Sequence, residues 1–343
     1  MKKLLMMMVV AALADGLLTA ATYDNPVLRE NFPDPTFWDG GDGWIYGIST
    51  GIKKIVRSQD LVHWETINDA PLEKYERMGL ESFSRNFWAP DAVKIGDEFR
   101  IYVTQFCDSP VNRLVCLASK NPQGPFLFKS VVLESWEKKI NDIAIDSEVV
   151  VENGVIWLFT GSVTGGIWRT RLTPDGLHLD PTAPFEHVAG LVPPDCTAKW
   201  RPWVYSHACF EGSYLYKHGE YWYLFMSGGS VQVGYKLFVG RSKTLDGEFF
   251  DKSGKSLLEG GATKILETKC EEFEGPGHNG DIFVDKNGAT FMTFHSHWAK
   301  LPQPDPDTAQ PRCLNLQRIF WGEDGWPYFK DGAVQKTNEA PER

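Results

Sequence analysis

The chain lacks the marks of several large protein classes. Its six cysteines (Cys107, Cys116, Cys196, Cys209, Cys270 and Cys313) form no CxxC pair and no Cys/His spacing of the zinc kind, which argues against a structural metal held by thiolates. After the N-terminal segment no stretch approaches the roughly 18 consecutive apolar residues that a membrane-spanning helix requires. Positive charge is in short supply: 35 Lys and Arg against 45 Asp and Glu leave a net charge of −10. Neither nucleic acid nor an anionic membrane surface is attracted to such an acidic shell, so a neutral or weakly charged partner fits better. Long amphipathic helical patterns are missing too. What the chain has in plenty is aromatic: 13 Trp, 21 Phe and 11 Tyr suit packed sheet faces and also supply flat apolar platforms on which sugar rings stack.

The first residues, MKKLLMMMVVAALADGLLTAA, join a basic start to an apolar run and small residues, the layout of a secretory signal over 1–21. No cysteine follows to accept a lipid, so the expected location is secreted or periplasmic and the mature chain is expected to be soluble. Export permits disulfides, with Cys107 to Cys116 and Cys196 to Cys209 near enough in sequence to pair; core thiols are the other reading. The remainder reads as one large domain over 22–334, followed by an acidic, proline-containing tail, 335–343, expected to be disordered.

Strand signals fill the domain. Five times an ionisable side chain is followed by an apolar run, a turn glycine and a second run rich in aromatics: Asp34 with Gly41, Asp91 with Gly96, Asp146 with Gly154, Glu211 with Gly219, and His278 with Gly288. Asn-Gly and His-Gly turns between paired apolar runs are hairpin signals. The spacing, roughly 55–70 residues, suits a four-stranded sheet per repeat. The expected fold is therefore all-β, a five-bladed propeller. The innermost strand of each blade lines the central channel, so one repeated position becomes one ring around the axis. Asp34, Asp91, Asp146, Glu211 and His278 are thereby expected to meet at one mouth. The segment Leu191–Cys209, rich in Pro and Trp, is a candidate rim loop beside Glu211.

Three carboxyls at one mouth suit hydrolysis of a glycosidic bond. One carboxylate activates water, one protonated carboxyl protonates the leaving oxygen, and a third acid keeps the second protonated by like-charge repulsion. Here the chain resembles glycoside hydrolase family 43, the propeller arabinanases, arabinofuranosidases and xylosidases. NPVLRENFPDP at 25–35, FWAPDAV at 87–93, IAIDSEVVVENGVIWLFTGS at 143–162, EGSYLYKHGEYWYLFMSGG from Glu211, EGPGHNGDIFVD at 274–285 and LQRIFWGEDGWP at 316–327 carry the resemblance.

That resemblance implies Asp34 as general base, Asp146 as the residue that orients the acid and tunes its pKa, and Glu211 as general acid. It implies substrate contacts from Trp88, Asp91, Ser162 and Arg318, and a calcium or other hydrated cation beside His278, with no organic cofactor. The implied activity is inverting cleavage of α-L-arabinofuranosyl linkages in plant polysaccharide, exo or endo. A β-xylosidase or exo-galactanase on the same fold, and a sugar-binding propeller without catalysis, are the alternatives. A retaining propeller of the invertase type would carry NDPN, RDP and Glu-Cys segments, and none is present. Two departures from the family pattern stand out: Ser147 replaces a proline after the middle aspartate, and GSVTGGI at 161–167 lacks the aromatic that endo-acting members place there.

Overall fold

The computed structural model describes residues 21–68, 86–106, 112–135, 143–162, 165–192, 209–231, 233–301, 303 and 310–343. Five antiparallel sheets follow one another along the chain. Blade 1 holds Thr36–Asp39, Ile45–Ile48, Ile55–Ser58 and Glu65–Asn68; blade 2 holds Asn86–Ile95, Glu98–Phe106, Asn112–Ser119 and Leu127–Glu134. Blade 3 is built from Glu148–Glu152, Val155–Thr160, Ile167–Arg171 and Glu186–Ala189, and blade 4 from Glu211–His218, Tyr221–Ser230, Val233–Ser242 and Thr263–Leu266. In blade 5 the inner edge is split: Phe273–Gly277 and Ile282–Val284 both pair with Thr290–Trp298, followed by Cys313–Trp321 and Pro327–Tyr328. The five-bladed propeller expected from the repeats is the fold observed.

The core is divided as a propeller requires. One apolar cluster lies at each of the five blade junctions, for example Phe159, Leu224, Met226 and Phe238 between blades 3 and 4, and Phe37, Val56, Phe291 and Leu316 where blade 5 meets blade 1. Each inner strand also presents one side chain that accepts a backbone N–H of the next. Thr36 Oγ1 accepts from Ala92 N (3.0 Å), Asp91 Oδ2 from Val149 N (2.8 Å) and Glu148 Oε1 from Leu215 N (3.4 Å). The Tyr214 hydroxyl accepts from Ile282 N (2.9 Å), and Asp281 Oδ2 from Phe37 N (2.8 Å). The last bond closes a ring. Inner strands have no sheet partner on the channel side, so these side chains satisfy N–H groups that would otherwise be buried unpaired.

Above this ring each inner segment bends. Asp34, Ala89, Asp146, Gly212 and His278 all have positive φ, between 42° and 62°. For a residue with a Cβ that region is uncommon and costs on the order of 1–3 kcal/mol, yet it recurs once per blade at the same level. The bend turns the chain across the channel mouth.

The tail departs from expectation. Thr337–Glu339 pairs antiparallel with Thr22–Asp24, Asn25 N donates to Lys336 O and Ala340 N to Ala21 O, both at 2.7 Å. Composition alone suggested disorder, but the N-terminal strand leaves backbone groups that the tail satisfies. Removing 335–343 is therefore expected to lower the melting midpoint by about 3–5 °C, because several backbone bonds worth about 1 kcal/mol each are lost. An unchanged midpoint in a thermal scan would return the segment to a loose tail. Of the cysteines, Cys116, Cys209, Cys270 and Cys313 are free thiols; Cys107 and Cys196 lie outside the described residues, as does the leader over 1–20.

Candidate active site

Asp34, Asp146, Glu211 and His278 converge at the channel mouth, as their repeat positions require. Asp34 sits at the bend entering blade 1 and is only 7% exposed. Arg312 Nη1 donates to its Oδ1 at 2.6 Å and the Thr50 hydroxyl to its Oδ2 at 2.6 Å. The imidazole Nδ1 atoms of His278 and His295 each stand 3.4 Å from Oδ1. His295 Nδ1 accepts the Asp34 backbone N–H (3.1 Å), so this ring is a neutral acceptor, consistent with burial holding its pKa well below the usual histidine range. Burial by itself would raise the Asp34 carboxyl. The charge of Arg312, then His278 and the Thr50 hydroxyl, outweigh it and hold the carboxyl well below the ordinary range.

Glu211 opens the inner strand of blade 4 and has the opposite environment. The Ser162 hydroxyl donates to Oε2 at 2.8 Å, and Oε1 has no hydrogen-bond partner among the described residues. Burial raises its pKa, and among the described residues no cation bonds to it to reverse the effect. Asp146 is raised well above the usual range, first by burial and then by the negative charges of Glu211 and Asp34. Its Oδ2 accepts Gly212 N–H at 3.1 Å, which ties it to the residue after Glu211. Two buried acids that repel one another give up their shared proton at a higher pH than either would alone. One carboxyl is thus biased toward ionisation and the pair beside it toward holding a proton.

Three expected contacts are placed differently. Asp91 is not at the mouth: in the repeat it aligns with Thr36 and Glu148, and blade 2 puts Ala89 at the level of Asp34 and Asp146. Its carboxylate bridges blades 2 and 3, and burial pushes its pKa up to about 7. Arg318 lies outside the site. It is 41% exposed, 3.8 Å from Glu339, and its guanidinium covers the Phe320 ring. The arginine that enters the site is Arg312, just before the strand Cys313–Trp321 begins, six residues and roughly 20 Å of extended chain away. Ser162 directs its hydroxyl proton to Glu211 and so fixes that carboxyl. Trp88 is 43% exposed at the mouth, beside Ala89. Most of the rim loop Leu191–Cys209, and 163–164 of the GSVTGGI segment, lie outside the described residues; the loop's ends meet in an antiparallel bridge between Leu191 and Cys209.

Thr50, His295 and Arg312 escaped the reading of the repeats because none occupies the repeated position. Arg312 offers a direct test. A general base must be ionised to work, and Arg312 is the foremost opponent of the burial that would protonate Asp34. Arg312→Gln is expected to raise the Asp34 pKa and move the acid limb of the kcat/KM–pH profile to higher pH. A limb that stays in place would mean that Arg312 does not govern the base.

Residues 23–327 match the family model "Glycosyl hydrolases family 43". The chain is 30% identical to the extracellular endo-α-(1→5)-L-arabinanase 1 of Bacillus subtilis (strain 168), over 93% of this chain and 95% of that protein. It is 27% identical to an extracellular exo-α-(1→5)-L-arabinofuranosidase of Cellvibrio japonicus (strain Ueda107), covering 86% and 85%. Among solved structures, the α-L-arabinanase of Cellvibrio cellulosa complexed with arabinohexaose superposes with a TM-score of 0.71 at 25% identity, over 88% of this chain and 96% of the other.

Proposed function

The chain belongs to glycosyl hydrolase family 43, and from that premise we propose that it is an inverting glycosidase that cleaves α-L-arabinofuranosyl linkages in plant cell-wall arabinan or arabinose side chains. One observation carries the reading: at a single channel mouth, Asp34 is held ionised by Arg312, while Glu211 is buried and, among the described residues, has no bonded cation and one unpaired oxygen. That is the division of labour between base and acid.

In this mechanism Asp34 takes a proton from water as the water oxygen attacks the anomeric carbon. Ser162 donates to Oε2 of Glu211, which leaves Oε1 as the oxygen that carries the proton and delivers it to the leaving oxygen. Asp146 keeps that proton in place by repulsion and aims Glu211 through Gly212 N–H. A single displacement inverts the anomeric centre. Trp88 would offer the sugar an exposed aromatic face, and Arg312 would reach the ring from beside Asp34. Water and carboxyls suffice, so no organic cofactor takes part.

Calcium belongs to this reading only as an ion kept in its water shell. Among the described residues no three His, Cys, Asp or Glu side chains converge as a ligand set, and His278 turns Nδ1 toward Asp34. The donors do not fit direct coordination, and no step above runs through a cation. Export is part of the proposal, resting on the leader-like segment 1–21 and on relatives named extracellular.

Product analysis on linear arabinan, arabinoxylan and galactan tests the function. Arabinose or arabino-oligosaccharides released from arabinan, with the β-anomer formed first in proton NMR, are expected; arabinose alone identifies exo attack and a ladder of oligosaccharides endo attack. Release of xylose or galactose in preference would favour the alternatives on this fold, and no release from any of the three would favour a sugar-binding propeller.

A further inference from the structure

One hydroxyl in the site has no part in the scheme above. Tyr235 lies in the strand Val233–Ser242 of blade 4 and is fully buried. Its ring stacks on His295 at an interplanar angle of 12°, centroids 5.8 Å apart. It also lies against Gly277, where a Cβ would fall 2.4 Å from a Tyr235 ring carbon. Glycine at 277 is what admits the ring to this depth. Yet the hydroxyl has no hydrogen-bond partner among the described residues, and the same is true of Glu211 Oε1.

The two unpaired groups share a neighbour: Ser227 pairs in register with Glu211, and its Oγ and the Tyr235 ring both lie within 3.2 Å of the point where a Gly277 Cβ would fall. After burial and the Ser162 bond, the Tyr235 hydroxyl is the next influence on the Glu211 carboxyl, lowering its pKa. After burial, Glu211 is the foremost charge acting on Tyr235. Buried polar groups are nearly always paired, so two left over here require an explanation. Phenylalanine would fill the same space without the orphaned hydroxyl. The hydroxyl therefore serves a state other than the resting one.

Resting on the assignment of Glu211 as general acid, we infer that Tyr235 is a positioning residue whose hydroxyl donates to Glu211 Oε1 as that oxygen loses its proton, holding the ionised acid through the transition state. The balance is simple. The Oε1–H bond breaks as the new O–H bond to the leaving oxygen forms, the electron pair of the anomeric C–O bond passes to that oxygen, and the attacking water gives its proton to Asp34. Tyr235 keeps its own proton throughout. Its bond strengthens as charge appears on Oε1, because hydrogen bonds to an ionised acceptor are about twice as strong as neutral ones. An interaction that grows toward the transition state raises turnover rather than ground-state binding.

The test compares Tyr235→Phe with the unaltered enzyme on an arabino-oligosaccharide and on the 4-nitrophenyl glycoside of the same sugar, whose leaving group needs no proton. Loss of a hydrogen bond to a charged group should reduce kcat on the oligosaccharide by about 10–100-fold, with a loss on the nitrophenyl glycoside at least about tenfold smaller. A packing defect would reduce both alike. Glu211→Ala run in parallel separates the two claims. If Glu211→Ala shows no dependence on the leaving group, the acid assignment itself fails. If it does, and Tyr235→Phe loses equally on both substrates or on neither, the role given to Tyr235 is overturned.

Discussion

Replacing Asp34 is expected to lower kcat by about 10²–10⁴-fold on every substrate, those with good leaving groups included. The reason is that water must lose a proton whatever group departs, and Asp34 is the carboxylate that Arg312 and Thr50 hold ionised and fixed. Two variants make the result interpretable. Alanine removes the carboxylate but also has to occupy a left-handed backbone (φ 49°), which is unfavourable for a residue with a Cβ. Asparagine tolerates that conformation and keeps one acceptor oxygen, enough for the Arg312 bond or the Thr50 bond but not both, yet it cannot take a proton. Both are expected to lose activity to a similar extent, with asparagine keeping the melting midpoint closer to that of the unaltered protein. Near-full turnover by Asp34→Asn would show that the base lies elsewhere.

The second large effect is on the acid. Glu211→Ala is expected to lower kcat on arabinan by about 10²–10⁴-fold and to recover much of that loss on a nitrophenyl glycoside, since a leaving group that departs as a stable anion needs no protonation. The fold should survive, because among the described residues the side chain accepts a hydrogen bond from Ser162 and its other oxygen bonds nothing. Asp34 and Glu211 are thereby distinguished by one pair of substrates: the base variant stays inactive on both and the acid variant recovers on one. Equal losses on both substrates for Glu211→Ala would falsify the assignment of acid and leave Asp146, the other member of the proton-holding pair, as the candidate.

Much of this architecture is legible along the chain. A turn glycine between two apolar runs, recurring five times, is a local pattern, and local patterns determine strands, hairpins and blade number. Once the repeat is recognised, geometry carries Asp34, Asp146, Glu211 and His278 to one mouth although up to 244 positions separate them. The phase within a repeat is finer than the pattern can resolve. Asp91 shares with Asp34 a place before an apolar run, but the bend that defines the mouth falls on Ala89, and two residues of offset move a side chain from the mouth to the ring below. Only the backbone reveals which residue bends.

The remainder was decided by packing between distant elements. Arg312 and Arg318 lie on or beside the same strand of blade 5, and nothing in their sequence neighbourhood says which one reaches Asp34. Closure of the propeller does, by bringing the start of that strand against the entry to blade 1, a contact between residues 278 positions apart. The same closure lays the N-terminal strand within reach of the tail, so that 337–339 become a strand where composition predicted disorder. Tyr235 belongs with these, since its ring reaches this depth only because the third strand of blade 4 passes beside Gly277 of blade 5. Periodicity acts over a few residues and therefore determined which side chains line the channel and how many blades surround it. Which of them bond to one another depends on blades closing through nearly the whole chain, and only the tertiary structure decides that.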